Sequence, residues 1–364
     1  MSEHETPTSP TEPTTPTSPG ATDDEFVWDA WPTLFEHVLG TQEVGLQEIG
    51  PGQADGLDVP ARATLTVVHD PAGNDTGEEF DTFSKADRIV AWLRRHLRRN
   101  IRLVVGETVS EAELAETHSP DYLDEIRSAE PGSRTSSGMA WDERFWAAVV
   151  ASTSSVRTAA LAAWTGRTVV GATSSGLHHA RYDHGAGFCT LNGLVVAARA
   201  VLAAGALRVL VVDLDAHAGG GTASLIEDVA GIEQVDVTVV GYDTYESRPD
   251  ARLEVVGADD YLATVEQVLG GVEDPGSVDL VIYNAGMDPH ECAGGVAGIT
   301  TRVLRRRDRM VMEWAEAHDL PVAFVMAGGY QGATWDLDDV AALHGVTFEE
   351  ALRSLERRAG STVR

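Results

Sequence analysis

Beyond about Pro60, short runs of β-branched and other apolar residues alternate with longer stretches of helical spacing, and this alternation most limits what the chain can fold into. Strands are predicted over Ala63–Val68, Ile101–Val105, Arg167–Gly171, Arg208–Asp213, Gln234–Val240, Leu280–Ala285 and Val322–Ala327. Helices are predicted over Ala86–Arg99, Glu143–Thr165, Leu191–Ala204, Asp259–Leu269, Thr301–Ala317 and Phe348–Ala359. The longer ones repeat apolar residues at helical spacing, as in Val303, Met310, Val311 and Trp314. Strands that alternate with helices pair in parallel and carry the helices on both faces of the sheet. No internal repeat is visible, so the expected fold is α/β, a mostly parallel sheet flanked by helices, in a single domain over 61–360.

The ends and the charge narrow the function. Residues 1–24 are dominated by Ser, Thr, Pro, Glu and Asp, which bury too little apolar surface to offset their ordering entropy, and are expected to be a disordered tail. Residues 25–60 bring Phe26, Trp28, Trp31 and Phe35 among glycines and acids, a lead-in with no visible chemistry. With 27 Lys and Arg against 57 Asp and Glu, the formal charge is -30, which repels nucleic acid and anionic membranes and attracts cationic amines. The basic residues are almost all arginine, Lys85 being the sole lysine. Two cysteines, Cys189 and Cys292, make no disulfide scaffold, and no signal core or bilayer-length apolar run is visible, so the cytoplasm is expected.

In open parallel sheets, function gathers beyond the carboxyl ends of the strands. Four predicted strand ends carry unusual residues: His178-His179, Asp213-Leu214-Asp215-Ala216-His217, Gly286-Met287-Asp288 and Gly328-Gly329-Tyr330. Asp215 and His217 are two apart, so in extended backbone both side chains leave one face and can grip one ion. Asp288 makes three protein ligands with an open position, the condition for a catalytic zinc. Taken singly, each feature has a plain alternative: a magnesium site or capped turn for the Asp-x-Asp-x-His run, an N-cap for Asp288, an exposed turn for His-His, a tight turn for Gly-Gly-Tyr. Their coincidence at one end of the sheet points to metal-assisted hydrolysis.

At these residues the chain resembles the histone deacetylase superfamily, which includes acetylpolyamine amidohydrolases and acetoin-utilisation proteins. The resemblance runs from about Val67 to Tyr330. It takes in His118-Ser119-Pro120-Asp121-Tyr122-Leu123, Gly176-Leu177-His178-His179-Ala180, Gly187-Phe188-Cys189 with Asn192, Val211-Val212-Asp213-Leu214-Asp215-Ala216-His217, Ala285-Gly286-Met287-Asp288 and Gly328-Gly329-Tyr330. It implies a three-layer arginase/deacetylase-like fold with one catalytic zinc on Asp215, His217 and Asp288. It further implies that His178 and His179 are the paired histidines, the second acting as general base and then acid, and that Tyr330 polarises the acyl carbonyl. Asp213 is similar to the acid beside the first histidine, Phe188 to one wall of the acyl channel, and Gly187 to the backbone that lets substrate pass. The implied substrate is an acylated amine, acetyl-lysine or an acetylpolyamine.

The chain also departs from the family pattern. After His217 it reads Ala218-Gly219-Gly220-Gly221, so the acid or amide that orients the second histidine is expected to be missing. A slower enzyme follows, unless Asp183 moves in, with Gly220→Asp expected to raise turnover. The segment after Gln234–Val240 is short, so one channel wall is rebuilt, from Tyr242 or Tyr245 if either leaves its packing role. Val239 or Val240 stands where the family has a hydroxyl near a monovalent-cation site, which speaks against a structural potassium ion.

Arginase-type ureohydrolases would need more carboxylates than Ala218–Gly221 offer. The main non-enzymatic rival is a zinc-binding homologue that recognises acyl-lysine without cleaving it. The clusters Arg94-Arg95 with Arg98-Arg99, and Arg305-Arg306-Arg307 with Arg309, are expected to be solvated helix faces, and Cys189 to be packing, since no histidine is placed by sequence to activate it. Oligomeric state is not readable from the chain.

Overall fold

The computed structural model describes residues 63–74, 81–175 and 177–362. The expected tail over 1–24 and the lead-in over 25–60 lie outside these residues. Eight strands form one sheet: β1 (Leu65–Val68), β2 (Ile101–Val104), β3 (Val169–Ala172), β4 (Val209–Asp213), β5 (Ile232–Thr238), β6 (Ala251–Val255), β7 (Leu280–Asn284) and β8 (Val322–Val325). Their order is β2-β1-β3-β8-β7-β4-β5-β6, and every pairing is parallel. The helices are α1 (Asp81–His96), α2 (Glu111–Ala115), α3 (Pro120–Ser128), α4 (Phe145–Gly166), α5 (Gly193–Ala203), α6 (Gly220–Ile226), α7 (Tyr261–Gly270), α8 (Thr301–Ala317) and α9 (Leu337–Thr362).

Alternation along each central strand feeds two separate cores. Leu210 and Val212 of β4, Val281 and Tyr283 of β7, and Val322 and Phe324 of β8 pack in a core with Val265 of α7, Val311 of α8 and Phe348 of α9. Their neighbours Val209, Val211, Leu280, Ile282, Ala323 and Val325 face the other way, onto Val156 of α4 and Val195 of α5. Because successive side chains leave opposite faces, strands this apolar need helices on both sides, and the three layers follow.

Several elements differ from expectation. β6 is an eighth strand, missed because Arg252 and Glu254 break its apolar pattern; it is an edge strand with only β5 beside it, where polar side chains are tolerated. α2 begins at Ser110, whose hydroxyl and Glu113 form a capping box, and α3 begins at Ser119 with Pro120 in its first turn. α9 starts at Leu337 rather than Phe348. A Cβ at Gly345 would lie 2.5 Å from the Trp92 ring, so this glycine is the contact point between α9 and α1. Arg94, Arg95, Arg98 and Arg99 are exposed as expected. Arg307 is the correction in the second cluster: it is fully buried, while Arg305 and Arg309 pair with Glu350. Among the described residues no helix is long and apolar enough to cross a membrane.

Candidate active site

β3, β8, β7 and β4 are neighbours in the sheet, so the segments leaving their carboxyl ends converge. The extended turn after β4 carries Asp215 and His217. Asp215 Oδ1 accepts from the His217 backbone N–H at 3.0 Å and lies 3.2 Å from His217 Nδ1. Asp288, beyond β7, accepts from the Ala216 N–H through Oδ1 at 3.0 Å. Its Oδ2 lies 3.2 Å from His217 Nδ1 yet makes no hydrogen bond, although it is buried. One ligand atom from each of Asp215, His217 and Asp288 falls within 4.8 Å of the others.

Two glycines permit this approach. A Cβ on Gly286 would stand 2.4 Å from Asp215 Cα, and one on Gly328, whose φ is +51°, would stand 2.3 Å from the Asp288 carboxyl. Two buried carboxylates side by side require positive charge. Burial and the charge of Asp215 push Asp288 up to about 6. Burial works to raise Asp215 as well, but the charges of His178 and His217 hold it well below the carboxylate range. Burial would lower His217, yet the Asp215 and Asp288 carboxylates beside its Nδ1 push it up to about 10. An orphaned carboxylate oxygen, a second carboxylate and an imidazole, all aimed at one point, are a donor set that fits a single divalent zinc.

The two histidines are set apart by their neighbours. His178 Nδ1 donates to Asp213 Oδ2 at 2.9 Å, and Asn284 Nδ2 holds the other Asp213 oxygen at 2.8 Å. Burial lowers His178, but Asp213 and then Asp215 outweigh it and push the ring up to about 10. For His179, burial and the charge of His178 dominate and push it down to about 4. Adjacent rings are thereby divided into a charged imidazole and a neutral one.

The expected gap beside the second histidine is filled. His179 Nδ1 donates to Asp243 Oδ2 at 2.8 Å, from the turn after β5. Asp183 does not move in; it pairs with His184 at 2.7 Å on the surface. A Cβ on Gly220 would lie 2.3 Å from Asp243 O and 2.6 Å from its Oδ1, so the absent side chain makes room for the carboxylate. One residue before Val239, Thr238 buries its hydroxyl and donates to Ala216 O beneath the Asp215–His217 turn.

Gly187, with φ of +50°, abuts His179: a Cβ there would lie 2.4 Å from the His179 ring. Phe188 follows it, also at positive φ, and is partly exposed. Of the two tyrosines proposed for the rebuilt wall, Tyr242 is the one at the site, its ring edge-on to His179 and His217 at 5.0 and 5.7 Å. Tyr245 packs instead between Gln234 Nε2 and Arg252 O. Tyr330 is anchored by its N–H to Ala293 O at 3.0 Å, and its ring lies against Gly294, beside Asp288.

Sequence reasoning missed three supports. Lys85, the sole lysine, is buried, donates to Gly328 O and stands 5.9 Å from the Tyr330 ring centre. Asn284 closes the strand-end network. His118 accepts from the Asn192 N–H and donates to Arg181 O, tying the His118–Leu123 motif to the loop after His179. Cys189 comes within 4.8 Å of His178 and His179 ligand atoms, a proximity its sequence position hid, while burial pushes its thiol well above the usual range.

Known proteins resemble this chain in sequence and in fold. The family model described as Histone deacetylase domain matches residues 81–250. An uncharacterised protein of Picosynechococcus sp. is 37% identical over 172 residues, 45% of this chain and 57% of that protein. Histone deacetylase 2 of Arabidopsis thaliana is 29% identical over 165 residues, covering 43% of this chain and 42% of the relative. A probable deacetylase of Methanothermobacter thermautotrophicus is 28% identical over 196 residues, 48% of this chain and 56% of the relative. The chain thus spans about half the length of these relatives. The crystal structure of the HDA15 HD domain superposes with a TM-score of 0.67 at 20% identity, covering 80% of this chain and 94% of that one, which establishes the shared fold.

Proposed function

This chain belongs to the histone deacetylase superfamily, and from that membership we propose that residues 61–360 form a catalytic domain that hydrolyses an N-acyl amide. The substrate in this proposal is an acetylated amine of a lysine or polyamine, and the cofactor one zinc ion. The observation that carries it is the facing of two carboxylates and an imidazole by a histidine pair whose Nδ1 atoms are each held by an aspartate, Asp213 and Asp243.

Asp215, His217 and Asp288 would hold the zinc, which would supply Lewis acidity to the acyl carbonyl and to water. His179, neutral and held through Nδ1, leaves Nε2 to take the proton of the attacking water and return it to the departing amine. His178, charged against Asp213, adds positive potential where negative charge develops. Tyr330 donates its phenol to the acyl oxygen as it becomes an oxyanion. Phe188 and Tyr242 offer aromatic surface at the entrance for the apolar stem of the amine.

Metal analysis combined with assays on an acetyl-lysine peptide and on N-acetylated polyamines tests this. About one zinc per chain with turnover of either substrate is expected, and Tyr330→Phe should lower kcat by roughly 10²-fold with zinc retained. A metal-free protein that takes up no zinc would end the proposal.

The rival reading, a zinc-binding acyl-lysine receptor without turnover, drew its support from the missing orienting acid. Asp243 removes that support. For the same reason Gly220→Asp is now expected to lower kcat by roughly tenfold or more rather than raise it, because its side chain occupies the space of Asp243. Steady-state kinetics of the single variant decides the sign.

A further inference from the structure

We propose that Asp243 is the positioning residue of His179, supplied by the turn after β5 in place of an acid at the start of α6, and that Gly220 and Arg181 are the two conditions for its working there. The proposal rests on the deacetylase reading for its catalytic consequence, but its geometry stands independently.

Three donors converge on the Asp243 carboxylate. His179 Nδ1 and the Gly221 N–H reach Oδ2 at 2.8 and 3.2 Å, and the Arg181 guanidinium reaches Oδ1. Carboxylate oxygens offer an acceptor to all three, whereas an amide would turn its own NH2 toward one of them. Arg181 is itself fixed, since its Nη1 donates to Gly220 O at 2.9 Å and its carbonyl accepts from His118. The guanidinium therefore ties the first residue of α6 to the turn after β5, and the His179 ring is held between them.

The backbone shows that this arrangement is specific. Asp243 has φ of +57°, in the left-handed region that a non-glycine residue enters at a cost. Its neighbour Tyr242 is tied in register by Ala218 N–H to Tyr242 O at 3.1 Å. A Cβ on Gly220 would meet both the Asp243 carbonyl and its carboxylate, so an acid at 220 and an acid at 243 exclude each other. One short turn thus brings an aromatic ring and an acid to the same imidazole, through Tyr242 and Asp243.

An exchange of position is the test, on the full chain loaded with zinc. Asp243→Asn is expected to lower kcat on an acetyl-lysine peptide by roughly 10²-fold, with KM within about twofold and zinc content unchanged. The double variant Gly220→Asp with Asp243→Gly supplies the carboxylate from residue 220 into the space Asp243 vacates and removes the left-handed strain; it should regain at least about tenfold over Asp243→Asn. A purely structural acid would not be rescued in this way. Nitrogen NMR of the His179 ring gives a readout without turnover: a proton fixed on Nδ1 in the wild type, and a mixture of tautomers in Asp243→Asn. Unchanged kcat in Asp243→Asn, or an unchanged tautomer, overturns the proposal, as does a folded double variant no faster than Asp243→Asn. If the double variant does not fold, the tautomer decides. Should the wild type cleave no acetylated amine, the deacetylase reading fails while the tautomer still decides the role of Asp243.

Discussion

Exchanging His179 for alanine is expected to lower kcat toward an acetylated amine by about 10³-fold, within the span general acid–base groups contribute, while KM and bound zinc stay nearly constant. The expectation comes from where this ring sits. Its ring stands edge-on to His217, 6.0 Å between ring centres, and is held through Nδ1 by Asp243, so its removal leaves the ligand atoms in place. It is also the neutral member of the pair, pushed down to about 4 by burial and by the charge on His178, so at neutral pH it is ready to accept a proton and His178 is not. Single-turnover kinetics with metal analysis on the same sample checks this. A rate within tenfold of wild type would mean that another group takes the proton, and loss of zinc would mean that the ring is a ligand after all.

What the sequence could show of this site was local. Asp215 and His217 lie two residues apart in extended chain, and period-two geometry alone puts them on one face. The strand ends were readable because β3, β4, β7 and β8 are nearly pure apolar runs, buried on both faces. The orienting acid was not readable, because the contact between residue 243 and residue 179 is made only when β5 and the β3 end are brought together. An absent side chain at Gly220 and a left-handed Asp243 are each unremarkable in sequence; their meaning lies in the 2.3 Å that a Cβ on Gly220 would leave to the Asp243 carbonyl oxygen. Arg307 misled for a similar reason. An arginine among arginines on a helix reads as a solvated face, and nothing local says that this one points inward.

That inward arginine carries the other large effect. Arg307→Met is expected to destabilise the protein by about 3–5 kcal/mol, the cost of leaving a buried charge without its partner. Arg307 is fully buried and donates through Nε to Asp308 Oδ1 at 2.9 Å. Its Nη1 donates to Leu214 O at 3.0 Å and to Gly286 O, the carbonyls one residue before Asp215 and two before Asp288. One guanidinium therefore staples from below the two strand ends that carry the carboxylates. Methionine fills the volume but leaves Asp308 with only the hydroxyls of Tyr283 and Thr347, at 2.6 and 2.7 Å, removes the donor to Gly286 O, and leaves Leu214 O with the Tyr261 hydroxyl at 3.2 Å. Zinc affinity should then fall by roughly 10–100-fold, as it does when the groups that orient ligands are removed. Adding Asp308→Leu removes the stranded charge and should recover much of the stability, because apolar replacement of a whole buried pair is close to neutral. It should not recover zinc affinity, since the guanidinium that joins Gly286 O to Leu214 O is still missing. Denaturant melts and competitive zinc titration of the two variants separate these outcomes. If stability and affinity return together in the double variant, Arg307 serves only to neutralise Asp308, and its hold on the ligand-bearing ends is without consequence.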